Sequence, residues 1–465
     1  MLLLLKPKRK KQSASSGIKK EGLFTILLGI AVVLQIMNTT MFNLAIPKIS
    51  SQFELTPSVA SLIVTVYSIV FAVAAITYSR LSDFIPLRRM MIFGLLVLGL
   101  SALAGIFSSS FIFLLIMRII QAIGAGSVLS LGMVLFTRYI PVERRGKAMA
   151  FIMSAVSLGL GLGPVIGGMI VDYLGWRYLF AVIALVLLLI PFFYVLMPRE
   201  VPKKGVFDTL GAIFIAIGTS GVLLYLTNHY LIALFLGIIG IILFIIRIRT
   251  SAHPFVQPSL FRNGRYLSLA LTGVFSYMVS FGILFLIPQV LVHRFGFTAS
   301  HAGFIIFPGS LCAIIASRKV GSIIDRHGNS SLLRFMPLVL LTGTVLFALF
   351  AADSWLSILF FYILVSLSFS TLTSSVSNQI SRVLQGPQVG AGMGLYQLLQ
   401  FFSGAFSVAL ASSAMEWQKG RVLQVVYTNI FWGMALLAVI CVLCSLFYSR
   451  SSSLAAESNK GSVPN

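Results

Sequence analysis

The sequence predicts an all-helical membrane protein that crosses the bilayer about fourteen times. Of its 465 residues, 58% are hydrophobic and only 10% are charged, whereas about 25% of the residues in soluble domains are charged. A spanning helix needs about 20 mostly apolar residues. The chain has such runs in succession, without the alternation that is typical of barrel strands. The predicted spans are 23–46, 59–79, 90–107, 111–136, 148–172, 178–197, 209–227, 231–247, 268–292, 300–317, 332–351, 356–377, 390–414 and 427–448.

The basic residues predict how these spans are oriented. If the N-terminus is inside, most of the 34 Lys and Arg residues fall in cytoplasmic connections, as at Arg88 and Arg89 and again at Arg144 and Arg145. The opening run 1–5 is too short for the apolar core of a signal peptide. We therefore expect a cell-membrane protein with both termini in the cytoplasm and an uncleaved basic tail at 1–22.

Other classes of protein fit the sequence less well. The net charge of +23 suggests nucleic acid, but the basic residues lie between apolar runs instead of on one solvated face, so no nucleic-acid partner is expected. Cys441-x-x-Cys444 lies in an apolar span with no second pair or nearby His, so we predict no metal site. The chain has no nucleotide-binding loop, no His-x-x-x-His motif and no Gly-x-Ser-x-Gly motif. The sequence therefore predicts neither an enzyme nor a bound cofactor.

Two related segments follow the second and tenth spans. The first, 79–89, contains Asp83 and ends in a basic pair, and the second, 321–328, contains Asp325. A carboxylate at a cytoplasmic helix end can pair with Arg and cap a neighbouring helix, which would make a latch that can open. A simple basic anchor at the membrane surface is the alternative. Copies at corresponding positions of two halves are typical of internally repeated transporters.

Arg118 in the fourth span is the only charged residue deep in a predicted span. An intramembrane arginine is costly unless it faces a cavity or polar partners, so a role in transport is the first hypothesis. Gln121 lies one turn away on the same helix face. The alternative is an arginine that Gln121 and backbone carbonyls satisfy for structural reasons.

The fifth span carries a dense glycine cluster. Glycines about one turn apart allow close helix packing, and a proline inside a helix favours a bend. Such a helix suits an interface that moves during transport. Its residues are Gly159, Gly161, Gly163, Pro164, Gly167 and Gly168.

Together these motifs resemble the major facilitator superfamily, and they are closest to its fourteen-helix drug/proton antiporters, the tetracycline exporters of Gram-positive bacteria. The resemblance covers roughly 23–447. It implies two six-helix lobes, at 23–200 and 251–448, a two-helix insertion at 201–250 and a cytoplasmic tail at 449–465. It also implies that the glycine cluster marks an exporter and that the cytoplasmic aspartates Asp83, Asp208 and Asp325 matter for transport.

The chain departs from that family at three positions. The antiporters carry embedded glutamates where this chain has Leu160 and Gly404, and many relatives carry an aspartate where it has Asn38. Coupling would then involve Arg118 with the boundary aspartates, or follow a non-standard mechanism. Cationic or metal-chelate cargo is then less expected, because no buried carboxylate would bind it.

The remaining central polar residues are candidates for the cargo cavity, because the family lines its cavity with helices one, nine and thirteen of this count. Each could equally be a structural contact between helices worth about 0.6 kcal/mol. They are Gln35, Asn38, Asn43, Tyr277, Tyr396, Gln397 and Gln400.

We therefore expect an exporter of small organic molecules or drugs, resembling tetracycline or multidrug efflux pumps. It would be driven by the proton gradient, act in the lipid bilayer and function as a monomer. An uptake carrier or metabolite exporter of the same superfamily is the alternative, and a membrane enzyme or receptor is less favoured.

Overall fold

The computed structural model describes residues 18, 20–55, 57–202, 207–228, 230–251, 254–297, 299–384, 388–418 and 420–460, and over these ranges it contains helices and no strand. The helices are α1 (Glu21–Gln52), α2 (Pro57–Leu81), α3 (Leu87–Ile106), α4 (Phe111–Tyr139), α5 (Val142–Tyr173), α6 (Tyr178–Ala184), α7 (Ile190–Leu196), α8 (Thr209–Asn228), α9 (Leu231–Thr250), α10 (Pro258–Arg262), α11 (Gly264–Phe295), α12 (Ala299–His327), α13 (Ser330–Phe350), α14 (Trp355–Val383), α15 (Gln388–Trp417) and α16 (Leu423–Lys460). A 3-10 segment, Leu185–Leu189, joins α6 to α7. The all-helical class predicted from the sequence is confirmed.

Twelve helices in the described part of the chain are long and apolar enough to cross a membrane. Two further apolar runs, Thr209–Val222 in α8 and Ser300–Ala313 in α12, are shorter than a full span. They coincide with the predicted spans 209–227 and 300–317. Fourteen spans therefore remain a prediction, whereas a multi-pass membrane protein is established.

Short polar connections set the ends of the helices. The side chain of Ser110 accepts a hydrogen bond from the Phe113 amide at 3.3 Å and so caps the start of α4. Ser354 caps α14 in the same way through the amide of Leu356. The turn between α5 and α6 contains Gly175 at φ +97°, a backbone conformation that side chains other than glycine disfavour.

The helices pack as two bundles. In the first bundle, α1 lies against α5, and α4 lies against both α2 and α3. In the second, α11 packs on α14, α15 and α16, while α13 packs on α14 and α16. The bundles meet along two seams, one formed by α5 with α12 and α14 and the other by α2 with α15. Side chains that face these seams lie between the bundles.

The hairpin of α8 and α9 lies beside this core. It reaches the bundles through α8, which packs on α2 and α15, while much of α9 is exposed and apolar. Gly221 and Gly237 bring the two helices together, because an ideal Cβ at Gly221 would lie 2.5 Å from the Gly237 Cα and 2.4 Å from the Ala233 carbonyl oxygen. The hairpin is therefore held by backbone-to-backbone packing of small residues, as is common between helices in membranes.

We predict that Gly221→Ala destabilises the protein by about 1–3 kcal/mol, because the added methyl group meets backbone atoms that cannot rotate away. The melting temperature of the purified protein in detergent measures the effect. Gly433→Ala in α16 is the matched control, since an added Cβ there meets no atom within 4 Å. Equal melting temperatures for the two variants would contradict the packing described for the hairpin.

Candidate functional site

Arg118 lies in the centre of the first bundle and is fully buried. Its Nη1 donates to Asn38 Oδ1 at 2.8 Å and to Gln121 Oε1 at 2.6 Å. Its Nε donates to the backbone oxygen of Ile63 at 3.2 Å. The guanidinium carbon lies 4.0 Å from the ring centroids of both Phe42 and Tyr67. Helices α1, α2 and α4 therefore enclose one cation between two aromatic rings.

The partners of Arg118 are all neutral. Arg118 and Asp208 are the only charged residues that are buried among those the structure describes. Asp208 forms an ion pair with Arg247, whereas no carboxylate pairs with Arg118 among the described residues. A charge in the bilayer core costs about 2.5–3.5 kcal/mol on insertion scales. Cation–π contacts and hydrogen bonds offset part of that cost without cancelling the charge.

Asn38 ties the arginine to the adjacent tyrosine. Its Oδ1 accepts from Arg118, and its Nδ2 donates to the Tyr67 hydroxyl at 3.1 Å. Asn38 is fully buried. The structure thus uses this cavity candidate to orient Arg118 and Tyr67. Gln121 has the same relation to Arg118, so the structural partners expected from the sequence are present, and a role in transport stays a prediction.

A chain of aromatic rings leads from the arginine across the seam between the bundles. Tyr67 stacks on Phe71 at a centroid distance of 6.2 Å. Phe71 meets Phe401 of α15 edge-on at 4.5 Å. Phe401 lies 6.1 Å from Tyr277, which also contacts Phe369 of α14 at 5.0 Å. Of these rings, only Tyr277 is among the cavity candidates predicted from the sequence. Aromatic residues are common in every span, so the sequence does not distinguish the other rings.

Several buried side chains along this region have polar atoms without a hydrogen-bond partner among the described residues. Both polar atoms of the Gln35 and Gln397 amides are unpaired, and so are Gln121 Nε2 and Gln400 Nε2. These four side chains are at most 4% exposed. Leaving a buried polar group unpaired costs about 1–3 kcal/mol, so such groups favour a ligand that can pair with them. Unpaired hydroxyl groups of α11 extend the set, at Ser276 and Ser280.

The other cavity candidates lie in different surroundings. Tyr396 packs on the backbone of α11, where an ideal Cβ at Gly273 would clash with the tyrosine oxygen. The side chain of Asn43 lies outside the described residues. Helix α14, which packs on α5 at the seam, carries a run of buried hydroxyl groups between Ser366 and Ser377 that is absent from the residues predicted from the sequence. Its density of Ser and Thr within one span was the available signal.

The glycine cluster of α5 faces two helices. An ideal Cβ at Gly159 would lie 2.8 Å from Ile36, one at Gly163 would lie close to Thr40 Oγ1, and one at Gly167 would lie 3.0 Å from Met41. These three glycines, four residues apart, therefore seat α1 against α5. They share α5 with Pro164 and the buried Gly168.

Gly161 faces the opposite side of α5. An ideal Cβ there would lie 2.5 Å from Ser310 Oγ of α12, and one at Gly303 of α12 would lie 2.7 Å from Val165. The Ser154 hydroxyl donates across the same seam to the Ala313 carbonyl oxygen at 3.4 Å. One helix thus carries close packing within the first bundle and between the bundles.

Asp83 lies where α2 ends against the start of α15. Arg80 Nη1 donates to Asp83 Oδ2 at 2.9 Å, and Arg138 Nη2 donates to Asp83 Oδ1 at 3.2 Å. An ideal Cβ at Gly390 would lie 2.8 Å from Asp83 Oδ1. Ser79 Oγ donates to the Gly390 carbonyl oxygen at 2.7 Å. We call this contact between α2, α4 and α15 the latch.

Asp208 has a different environment. Its Oδ1 accepts from Arg247 Nε at 3.0 Å and from the Gly211 amide at 3.1 Å, and its Oδ2 accepts from the Phe255 amide at 3.1 Å. These bonds join both ends of the hairpin to the segment before α10. The side chain of Asp325 lies outside the described residues. The transport roles of all three aspartates stay predictions.

Two of the three positions that depart from the antiporter pattern make apolar contacts, whereas Asn38 is hydrogen-bonded to Arg118 and Tyr67. Leu160 is 4% exposed within the hydrophobic core, and an ideal Cβ at Gly404 would lie 3.2 Å from the ring of Phe281. All eleven Asp and Glu residues of the chain lie at helix ends or in connections. Arg118 therefore has no acidic neighbour at mid-bundle.

A family model described as the Major Facilitator Superfamily matches residues 28–408 and 269–463. The chain belongs to the Major Facilitator Superfamily and is a membrane transporter. It is 24% identical over 403 residues to the riboflavin transporter RibZ of Clostridioides difficile, covering 85% of this chain and 88% of that protein. It is 27% identical over 403 residues to the putative multidrug resistance protein MdtD of Pectobacterium atrosepticum, covering 83% and 85%.

The fold agrees with this assignment. The crystal structure of the human organic anion transporter MFSD10 (TETRAN) matches with a TM-score of 0.67 over 90% of this chain and all of that chain. Its sequence is 17% identical, so the likeness concerns the fold alone. The resemblance to the superfamily found in the sequence is thus confirmed at the level of the superfamily.

We predict that Asp83→Asn opens the latch, because a neutral amide loses the ion pairs with Arg80 and Arg138. Hydrogen exchange at the first two turns of α15 should become about tenfold faster, which corresponds to the loss of about one charge-assisted hydrogen bond. Mass spectrometry of the protein in detergent measures the exchange.

Asp172→Asn is the matched control, because it breaks an exposed ion pair with Lys48 at the C-terminal end of α5, away from the latch. It should leave exchange in α15 unchanged. The same exchange rate in Asp83→Asn and the unmodified protein would show that the latch does not hold α15.

Proposed function

We propose that this transporter exports small organic molecules from the cytoplasm by alternating access, using the proton gradient. The observation that carries the proposal is the packing of α5, whose glycines contact α1 on one side and α12 on the other. Small residues on both faces allow one helix to slide against two neighbours without side-chain clashes. In the family that the sequence resembles, this glycine cluster accompanies export.

In this proposal the two bundles are the lobes at 23–200 and 251–448, and the hairpin is the insertion at 201–250. The chain crosses the membrane fourteen times with the latch and both tails, 1–22 and 449–465, in the cytoplasm. Rocking of one lobe against the other opens the seam between α2 and α15 and releases the latch, which admits cargo from the cytoplasm. The chain works as a monomer.

Polar and aromatic side chains of α1, α11 and α15 hold the cargo. Gln35, Gln397 and Gln400 supply unpaired amide groups, and Tyr277 supplies a ring. The MdtD relatives carry the name of multidrug resistance proteins, which supports drug efflux as the activity. Arg118, Asp83, Asp208 and Asp325 couple transport to the proton gradient, and Gln121 positions Arg118 through their hydrogen bond.

Everted membrane vesicles test export and coupling together. Tetracyclines, quinolones, macrolides and dyes are added singly to vesicles with an acidified lumen, and the pH of the lumen is followed. We expect at least one compound to accumulate in the lumen while the lumen becomes more alkaline, because each exported molecule returns a proton.

Gly163→Leu should abolish both signals, because even a Cβ at this position meets Thr40. Gly433→Leu is the control, since its side chain enters open space. Accumulation of no compound would contradict drug export, and accumulation without a pH response would contradict proton coupling.

Uptake or exchange of a metabolite is a second candidate. It is favoured by the missing mid-bundle carboxylate and by the relative RibZ, which is named a riboflavin transporter. Counterflow in proteoliposomes distinguishes the two functions. Equal rates in both directions without a proton gradient would support the carrier and contradict driven export.

A further inference from the structure

The charge of the bundle interior is positive. Arg118 is fully buried, and its contacts with the described residues are all with neutral groups. The other buried charge among the described residues, Asp208, is paired with Arg247 at the edge of the hairpin. In a low-dielectric interior an unpaired charge acts over longer distances than it does in water. A molecule held between the bundles therefore experiences a positive potential.

The unpaired polar atom of Gln121, next to Arg118, is a hydrogen-bond donor. Gln121 Oε1 accepts from Arg118 at 2.6 Å, and this bond assigns the two ends of the amide, so the unpaired atom is the Nε2 group. Gln35 lies one turn from Asn38 on α1, and both its Nε2 and its Oε1 are unpaired, so this amide can donate as well as accept. The hydroxyl groups of Ser276 and Ser280 can also donate. A ligand rich in acceptors would satisfy this set.

Basic residues continue this pattern at the end of the bundle that carries the latch. Arg145 at the start of α5 and Arg382 at the end of α14 lie close enough to repel each other. They come from different bundles and flank the seam between α5 and α14. Glu143 offsets part of this charge. A basic entrance raises the local concentration of anions.

We propose that the cargo is an aromatic organic anion and that Arg118 supplies its counter-charge. The negative group is held by the donors of Gln35 and Gln121, and its ring lies against the aromatic chain of Phe71, Phe401 and Tyr277. The guanidinium stays between Phe42 and Tyr67 and acts through its field. This proposal rests on the proposed export function, and it names the class of cargo.

An anionic cargo is also consistent with the absence of embedded acids. A cation leaving a cell moves against the negative interior potential, and a buried carboxylate can both bind it and exchange it for a proton. An anion moves outward with the potential. An anionic cargo then accounts for the neutral residues Asn38, Leu160 and Gly404, because an acid at any of these positions would weaken the positive field.

Binding of two dyes with the same xanthene ring system tests the charge. Fluorescein is anionic at pH 8 and rhodamine 123 is cationic. Fluorescence polarisation with the purified protein in a neutral detergent, at fixed ionic strength, gives both affinities. We expect fluorescein to bind at least tenfold more tightly than rhodamine 123.

Asn38→Asp is the decisive variant. The new carboxylate keeps the oxygen that accepts from Arg118 at 2.8 Å, so it neutralises the arginine without leaving a cavity. We expect fluorescein affinity to fall at least tenfold and rhodamine 123 affinity to rise. Asn429→Asp, which adds the same charge at an exposed position, should leave the ratio within twofold. Unchanged melting temperatures show that each variant is folded.

Equal affinity for the two dyes, preference for rhodamine 123, or no binding of either dye would overturn the proposal. A normal dye preference in Asn38→Asp would also overturn it. Because binding is measured at equilibrium, the result is independent of the vesicle assay. Export of cations in the vesicle assay would support the export function and contradict an anionic cargo. Selective binding of fluorescein without export would support an anionic cargo and contradict the export function.

Discussion

The packing of the first bundle depends on one buried cation, Arg118, which has no counter-ion among the described residues. Burying Arg118 is unfavourable unless several neutral groups share its charge, and α1, α2 and α4 each contribute one or more of them. Asn38 has two roles in this arrangement, since it accepts from the arginine and donates to Tyr67. The three helices cannot shift far apart without exposing an unsatisfied charge to hydrocarbon. The arginine thus links the geometry of the bundle to the electrostatics of its centre.

Close backbone packing supplies the second constraint. In a bilayer, helices gain little from hydrophobic burial against each other, so small residues that let backbones approach contribute much of the packing. Helix α5 shows this on two faces, with Gly163 toward α1 and Gly161 toward α12. The hairpin repeats the device with Gly221 and Gly237. Packing of this kind depends on shape, which allows a helix to hold two neighbours and still move between alternative positions.

The seam between the bundles combines strong and weak contacts. At the latch, charged groups of α2 and α4 meet the start of α15, and these interactions can be exchanged for water when the bundles separate. Nearer the centre, the contact between Phe71 and Phe401 is apolar, while the amide of Gln397 and the Nε2 group of Gln400, both on α15, lack partners. A transporter needs such a balance, because a fully satisfied interior would have no affinity for cargo.

The local pattern of the sequence was enough to predict much of the fold. Apolar runs located helices such as α4 and α13 to within a few residues, because a bilayer demands a minimum length of uninterrupted apolar helix. The motifs also identified the superfamily. The exact number of spans was harder, because α8 and α12 contain only short apolar runs.

The site itself required the tertiary structure. Nothing in the sequence distinguishes Phe71 and Phe401 from the other 36 phenylalanines, since they become neighbours only when α2 meets α15. In the same way, Asn38 and Gln35 are both amides of α1, yet only Asn38 finds partners. The sequence by itself determined that the chain is a membrane protein with one deep cation, because composition and spacing decide what a bilayer accepts. Only the tertiary structure decided which polar groups remain unpaired around that cation, because pairing depends on atoms from distant parts of the chain.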